Sequence, residues 1–233
     1  MTFDPSRVRA LCFDIDGTLS DTDDQLVQRL AGWLRPVSFL LPHKDALRCA
    51  RWTVMGSEAP ANFLIGIPDR LGVDSYLTTL WDYFHRPGSL RPFLLIPGVK
   101  EALGQLQPHF RMSVVSARAA RSSLAFLRQY ELLAYFPVIA TALTCRHTKP
   151  YPDPVLWAAR QMEVSPEHCL MIGDTTLDIR AGKAAGAQTV GVLSGFGEQE
   201  ELRHCGADLI LPSVAHIPAV LGCGEAPREH VGG

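Results

Sequence analysis

Six short apolar runs constrain this chain more than any other feature. They are Ala10 to Phe13, Met112 to Val115, Pro137 to Ala140, Cys169 to Ile172, Thr189 to Leu193 and Asp208 to Leu211. Each is too short for a buried helix and is bounded by polar or turn residues, so each reads as a buried strand. Helical patterns lie between them. Pro97-Gly98 leads into Val99-Lys100-Glu101-Ala102-Leu103, apolar at helical spacing, and Asp153-Pro154 opens Val155 to Ala159 with a proline suited to a first helical turn. Arg180 to Gly186 carries small residues on one face, which suits close packing against a sheet. Strands alternating with helices in this way predict an α/β fold with a mainly parallel sheet.

The interval between the first two strands breaks the pattern. About 75 residues, from Asp21 to Ile96, lie where a crossover helix needs far fewer. The excursion holds helical apolar stretches (Leu26 to Leu34, Ala46 to Val54, Tyr76 to Phe84) and three of the four tryptophans, Trp33, Trp52 and Trp81. Its exit, from Arg86-Pro87-Gly88 to Pro97-Gly98, is rich in proline and glycine. The expected organisation is a core from 1–20 and 97–222, an inserted helical cap over 21–96, and a tail over 223–233. Trp52 and Trp81 read as cap core. Lys44, Arg48 and Arg51 read first as a solvated face, with a cationic substrate contact as the alternative.

Composition excludes several classes. A net charge of −2 gives no electrostatic reason to expect nucleic acid or an anionic membrane as partner. No apolar run approaches the roughly 18 residues of a membrane span. The N-terminus reaches its first strand through Asp4, Arg7 and Arg9 without a signal-peptide pattern. The six cysteines form no Cys-x-x-Cys pair, and Cys12 and Cys169 lie inside strand runs. They are expected to be reduced, as small apolar residues of a cytoplasmic protein.

The chemistry-bearing residues stand where the runs end. Phe13-Asp14-Ile15-Asp16-Gly17-Thr18-Leu19 puts two carboxylates around one apolar residue at the end of the first. Carboxylates so close repel unless one is protonated or a cation lies between them. A hard metal ion, divided acid and nucleophile roles, or both, would satisfy them. Ser116 follows the second run and is placed to donate to an anion. After the third comes Lys149-Pro150-Tyr151-Pro152-Asp153-Pro154, whose prolines stiffen the backbone behind a single lysine. After the fourth comes Gly173-Asp174-Thr175-Thr176-Leu177-Asp178, a second acidic turn. In open parallel sheets ligands bind at this rim, outside the carboxyl ends of the strands. Singly, each residue has an ordinary reading: a surface lysine, a strand-end serine, an aspartate that starts a helix. Lone His43 and His85 read as surface or loop residues, and so in the first instance does His147, two residues before Lys149.

Taken in order, Asp-x-Asp-Gly-Thr, the strand-end Ser, the Lys-Pro loop and Gly-Asp-x-x-x-Asp resemble the haloacid dehalogenase superfamily of phosphohydrolases. The resemblance covers roughly two-thirds of the chain. It continues through Asp178 to Ala187 and Gly206-Ala207-Asp208, which look like the phosphoglycolate phosphatase-like branch. It implies a three-layer Rossmann-like core with an α-helical cap. It further implies that Asp14 attacks phosphorus to form an aspartyl-phosphate, and that Asp16 protonates the leaving oxygen and then takes a proton from water. Mg²⁺ would lie between Asp14, the backbone carbonyl of Asp16, and Asp174. Ser116 and Lys149 would hold the phosphoryl oxygens, with Asp178 supporting Lys149 or a metal-bound water. Two positions depart from the pattern: Ala117 stands where many relatives carry Asn, and Thr175 replaces the commoner Ser. The expected activity is Mg²⁺-dependent hydrolysis of a small phosphorylated metabolite, such as phosphoglycolate or a sugar phosphate. A phosphomutase of the β-phosphoglucomutase type is the rival on the same core. A non-catalytic binding or regulatory module is the rival from another class, though none of its expected losses of motif residues has occurred. The sequence sets no oligomeric state.

Overall fold

A computed structural model of the chain describes residues 3–21 and 94–224. The expectations for a helical cap over 21–96 and for a tail fall almost wholly on residues 22–93 and 225–233, outside the described residues. By packing, the chain divides into two compact units, 1–23 with 94–233 and 24–93. The sheet and all the candidate site residues belong to the first.

Six parallel strands form that sheet in the order β3-β2-β1-β4-β5-β6. They are β1 (Ala10–Phe13), β2 (Arg111–Val115), β3 (Val138–Ala140), β4 (Cys169–Gly173), β5 (Gln188–Val192) and β6 (Leu209–Leu211). All six runs picked out in the sequence are strands, displaced by no more than a residue at either end. Between and after them lie α1 (Val99–Leu106), α2 (Ala120–Gln129), α3 (Asp153–Gln161), α4 (Thr176–Ala185), α5 (Gln199–His204) and α6 (Ile217–Val220). β1 is central and every one of its residues is buried. It pairs with β2 on one side, Phe13 opposite Val114, and with β4 on the other, Phe13 opposite Ile172.

Successive residues of a strand face opposite sides of the sheet. Ala10 and Cys12 of β1 join Cys169 and Met171 of β4 in a core with Val155, Ala158 and Ala159 of α3 and Ala181 and Ala185 of α4. The alanines let those two helices lie close to the sheet, as the small-residue face over Arg180 to Gly186 predicts for α4. Leu11 and Phe13 belong to the other face, where Phe13 meets Phe136 edge to face, ring centroids 5.7 Å apart. The layers are thus helix, sheet and helix. Cys12 and Cys169 are buried free thiols, and no disulfide occurs among the described residues.

Register fixes the neighbourhood of the site. Phe13 lies level with Val114 and Ile172, so Asp14, Ser116 and Asp174 all leave the same edge of the sheet within two residues of that line. The amide of Asp14 still donates to Ile172 O (2.9 Å), and that of Ser116 to Ala140 O (3.0 Å), so both residues are held by the sheet as they leave it.

Candidate active site

Among the described residues, four buried charged groups meet at the carboxyl rim: Asp14, Lys149, Asp174 and Asp178. Lys149 Nζ lies 2.8 Å from Asp14 Oδ1 and 2.6 Å from Asp178 Oδ1. Buried lysines are rare unless paired, and this one is paired twice. Burial works against its ammonium, but the two carboxylates outweigh burial and hold its pKa above that of ordinary lysine.

Asp178 does two jobs. It is the third residue of α4, and its Oδ2 accepts from the backbone N–H of Thr175 (3.0 Å) and from the Thr175 hydroxyl (2.7 Å). The pair forms a capping box at the start of the helix. Its Oδ1 is left for Lys149. One side chain thus both caps the start of α4 and pairs with Lys149. Thr175 supplies the hydroxyl that a serine would supply at that position.

Oxygens of Asp14, Asp174 and Asp178 lie within 4.8 Å of one another, a group able to hold a metal ion. Both oxygens of Asp178 are engaged, Oδ1 by Lys149 and Oδ2 by Thr175, and Asp14 Oδ1 also pairs with Lys149. Asp174 is held in place by the Phe196 N–H on Oδ2 (2.8 Å) and, more loosely, by the Thr18 hydroxyl on Oδ1 (3.4 Å). Burial raises the Asp14 carboxyl to about 7, with Lys149 opposing and Asp178 and Asp16 adding to the rise. Burial, then Asp178 and Asp14, raise the Asp174 carboxyl well above its ordinary value. One ammonium does not balance three crowded carboxylates. A divalent, oxygen-seeking cation would balance them, and the donor set fits one.

Ser116 is buried at the end of β2, where its Oγ accepts from the Arg118 N–H at 3.2 Å, which leaves its hydroxyl proton free to point elsewhere. Asp16 is half-buried and turned toward Arg118 rather than toward Lys149. Arg118 Nε donates to Asp16 Oδ2 at 3.0 Å and its terminal nitrogen donates to Oδ1. His147 pairs with Asp153 (3.0 Å) and lies against the Tyr151 ring, in keeping with its loop reading.

Among the described residues, two contributors escaped the sequence reading. One is Arg118. The other is the loop Ser194-Gly195-Phe196-Gly197 after β5, which closes on the first motif. Ser194 Oγ donates to Gly17 O at 2.8 Å, and Phe196 holds Asp174. Gly17 has a φ of +70°, and a Cβ there would come within 2.2 Å of Asp174 Oδ2. A Cβ on Gly195 would meet the same oxygen at 2.1 Å and the Gly17 backbone at 2.6 Å. Two glycines thus admit the carboxylate between two loops. The Gly-x-Gly just past a strand run was the visible signal.

The match to known proteins agrees with this geometry. Residues 11–192 fit the family model described as haloacid dehalogenase-like hydrolase. The chain belongs to the haloacid dehalogenase-like hydrolase family. This hydrolase is 34% identical over 222 residues to the phosphoglycolate phosphatase of Nitrosospira multiformis, covering 90% of this chain and 94% of that one. It is 27% identical over 226 residues to the phosphoglycolate phosphatase of Nitrosococcus oceani, covering 91% and 95%. Among solved structures it resembles a hydrolase of the same family from Deinococcus radiodurans, crystallised with phosphate and sodium. The TM-score there is 0.66 at 23% identity, over 93% of this chain and 96% of that one. No helix among the described residues is long and apolar enough to cross a membrane.

Proposed function

We propose that this protein hydrolyses a small phosphomonoester, of the phosphoglycolate or sugar phosphate class, through an aspartyl-phosphate on Asp14 with Mg²⁺ as cofactor. That it is a phosphoric monoester hydrolase follows from its family and from the phosphoglycolate phosphatases it is similar to. The observation that carries the finer reading is the line of charge Asp14–Lys149–Asp178 with Asp174 beside it, buried at the strand ends next to Ser116.

In this reading a carboxylate oxygen of Asp14 attacks phosphorus, and the ester oxygen leaves with a proton from Asp16. Asp16, now a carboxylate, takes a proton from water. That water attacks the phosphorus of the aspartyl-phosphate, freeing inorganic phosphate and restoring Asp14. Lys149 and the Ser116 hydroxyl hold the equatorial oxygens, where charge accumulates. Asp14, Asp174 and the Asp16 backbone carbonyl would hold the metal, which supplies charge neutralisation of the phosphoryl group. In the matching organisation, the core is 1–20 and 97–222, with 21–96 as a cap that selects the leaving group and 223–233 as a tail. The setting is cytoplasmic, and neither nucleic acid nor membrane is a partner.

The test is phosphate release from a panel of phosphorylated metabolites with Mg²⁺, followed by acid quench and peptide mass spectrometry. Phosphate release and a phosphoryl group on the Asp14 peptide are expected. Isomerised sugar phosphate with little free phosphate would favour the mutase. No turnover of any phosphomonoester would overturn the reading.

A further inference from the structure

The salt bridge between Asp16 and Arg118 has no part in the phosphoryl-transfer steps assigned to Asp14, Lys149 and Ser116. Arg118 is anchored at both ends of its backbone: its N–H donates to Ser116 Oγ (3.2 Å), and its carbonyl accepts from the Ala142 N–H (3.1 Å). Its side chain is 13% exposed and that of Asp16 is 24% exposed. The guanidinium meets the carboxylate as a fork, Nε on one oxygen and the terminal nitrogen on the other. A planar fork fixes the plane of the carboxylate as well as its place, which a lysine would not do. A carboxylate held by both oxygens has no proton to give, and an oxygen that carries the proton to a leaving group cannot also be held in the fork. One contact must open, and the other then decides where the freed oxygen turns.

We propose that Arg118 is the positioning residue for Asp16. It holds the carboxylate by Nε while the second oxygen swings to the leaving group, and it takes back both oxygens once the proton is given. The proton passes from the Asp16 carboxyl to the ester oxygen as the phosphorus–oxygen bond breaks, and Arg118 stays protonated throughout. The inference rests on the proposed phosphomonoesterase activity. Its signature is that Arg118 acts only through Asp16. Its effect should therefore follow the need for an acid, which is greatest for alkyl esters and least for aryl esters, whose leaving groups depart without help.

The experiment measures kcat/KM, which reports the steps up to transfer onto Asp14. The substrates are phosphoglycolate, glucose 6-phosphate and p-nitrophenyl phosphate. The proteins are the wild type, Arg118→Gln, Arg118→Lys, Asp16→Asn and Asp16→Asn/Arg118→Gln. Arg118→Gln should lose about tenfold on the alkyl esters, a fraction of the 10²–10⁴ that acid–base catalysis contributes, and under about threefold on the aryl ester. Arg118→Lys should recover part of the alkyl activity, and serves as the test if the Gln variant does not fold. On the alkyl esters the double variant should match Asp16→Asn, the non-additivity of two residues that act as one. Equal losses on alkyl and aryl esters, or a further loss on top of Asp16→Asn, would overturn the inference and give Arg118 to the substrate or to folding. Those outcomes leave the phosphatase reading intact. Absence of phosphate release by the wild type overturns both.

Discussion

Lys149 and its carboxylates decide most of what can be expected of single substitutions. Asp14→Asn keeps the size of the side chain and its place beside Lys149 but removes the attacking anion. Turnover should fall by about a thousandfold or more, with circular dichroism and melting temperature near those of the wild type. A folded variant with ordinary turnover would refute the nucleophile. Metal affinity has a sign that follows from burial. The Asp14 carboxyl is held at about 7 against an ordinary 3.8, so between those values the folded, metal-free protein binds a proton that the unfolded chain does not. Its stability therefore falls as pH rises across that window. Metal ligands must be deprotonated, so Mg²⁺ should raise the melting temperature more at pH 8 than at pH 5.5. Equal shifts at the two pH values would count against Asp14 as a ligand. At this scale the sequence was legible where a residue's neighbours along the chain announce it. Asp14, Asp16 and Asp174 sit at the ends of apolar runs, Ser116 follows one, and prolines flag Lys149. Arg118 carried no such mark. It lies in an Ala-Arg-Ala-Ala-Arg stretch that reads as the solvated start of a helix, and its partner is 102 positions away.

Among the elements, the loop after β5 has the least forgiving geometry. Gly195→Ala would set a methyl 2.1 Å from Asp174 Oδ2 and 2.6 Å from the Gly17 Cα, one of them backbone that cannot step aside. The expected result is a displaced Asp174, with Mg²⁺ affinity and activity lost together. Gly186→Ala is the control. Gly186 also has a positive φ, +84°, but nothing lies within 4 Å of a Cβ there. It should cost about 1–2 kcal/mol of backbone strain and leave kcat/KM alone. Melting curves and Mg²⁺ titrations of the two variants compare them; retained Mg²⁺ binding in Gly195→Ala would show that the loops part without moving the carboxylate. Strand positions were readable to within about a residue because burial on both faces writes continuous apolar runs, and Gly98 and Pro154 marked two helix starts; α4, read over Arg180 to Gly186, begins at Thr176, and α2, α5 and α6 were not picked out. The closure of one loop on another was not readable, since glycine in a turn reads the same whether it meets solvent or a carboxylate.

In the whole molecule, every charged group of the site comes from residues 14–178 of the described core, leaving 24–93 with no part in the phosphoryl contacts read from the sequence. If that segment binds the non-reacting end of the substrate, Arg48→Ala with Arg51→Ala should reorder kcat/KM among anionic metabolites while barely changing it for an aryl phosphate. An unchanged order would return both arginines to a solvated face, and a uniform collapse would point to damaged folding. The order of the strands has a further consequence, in the time taken to make the protein. β1 is the earliest along the chain of the described strands and lies at the centre of the sheet, yet Thr18 just beyond it is 156 residues from Asp174, the residue it touches beyond β4. Ribosomes add about 5–20 residues per second, so β1 waits roughly 8 to 30 seconds for its second neighbour. During that wait an all-apolar strand leaves the ribosome with an open edge, the feature on which chains most readily pair with one another.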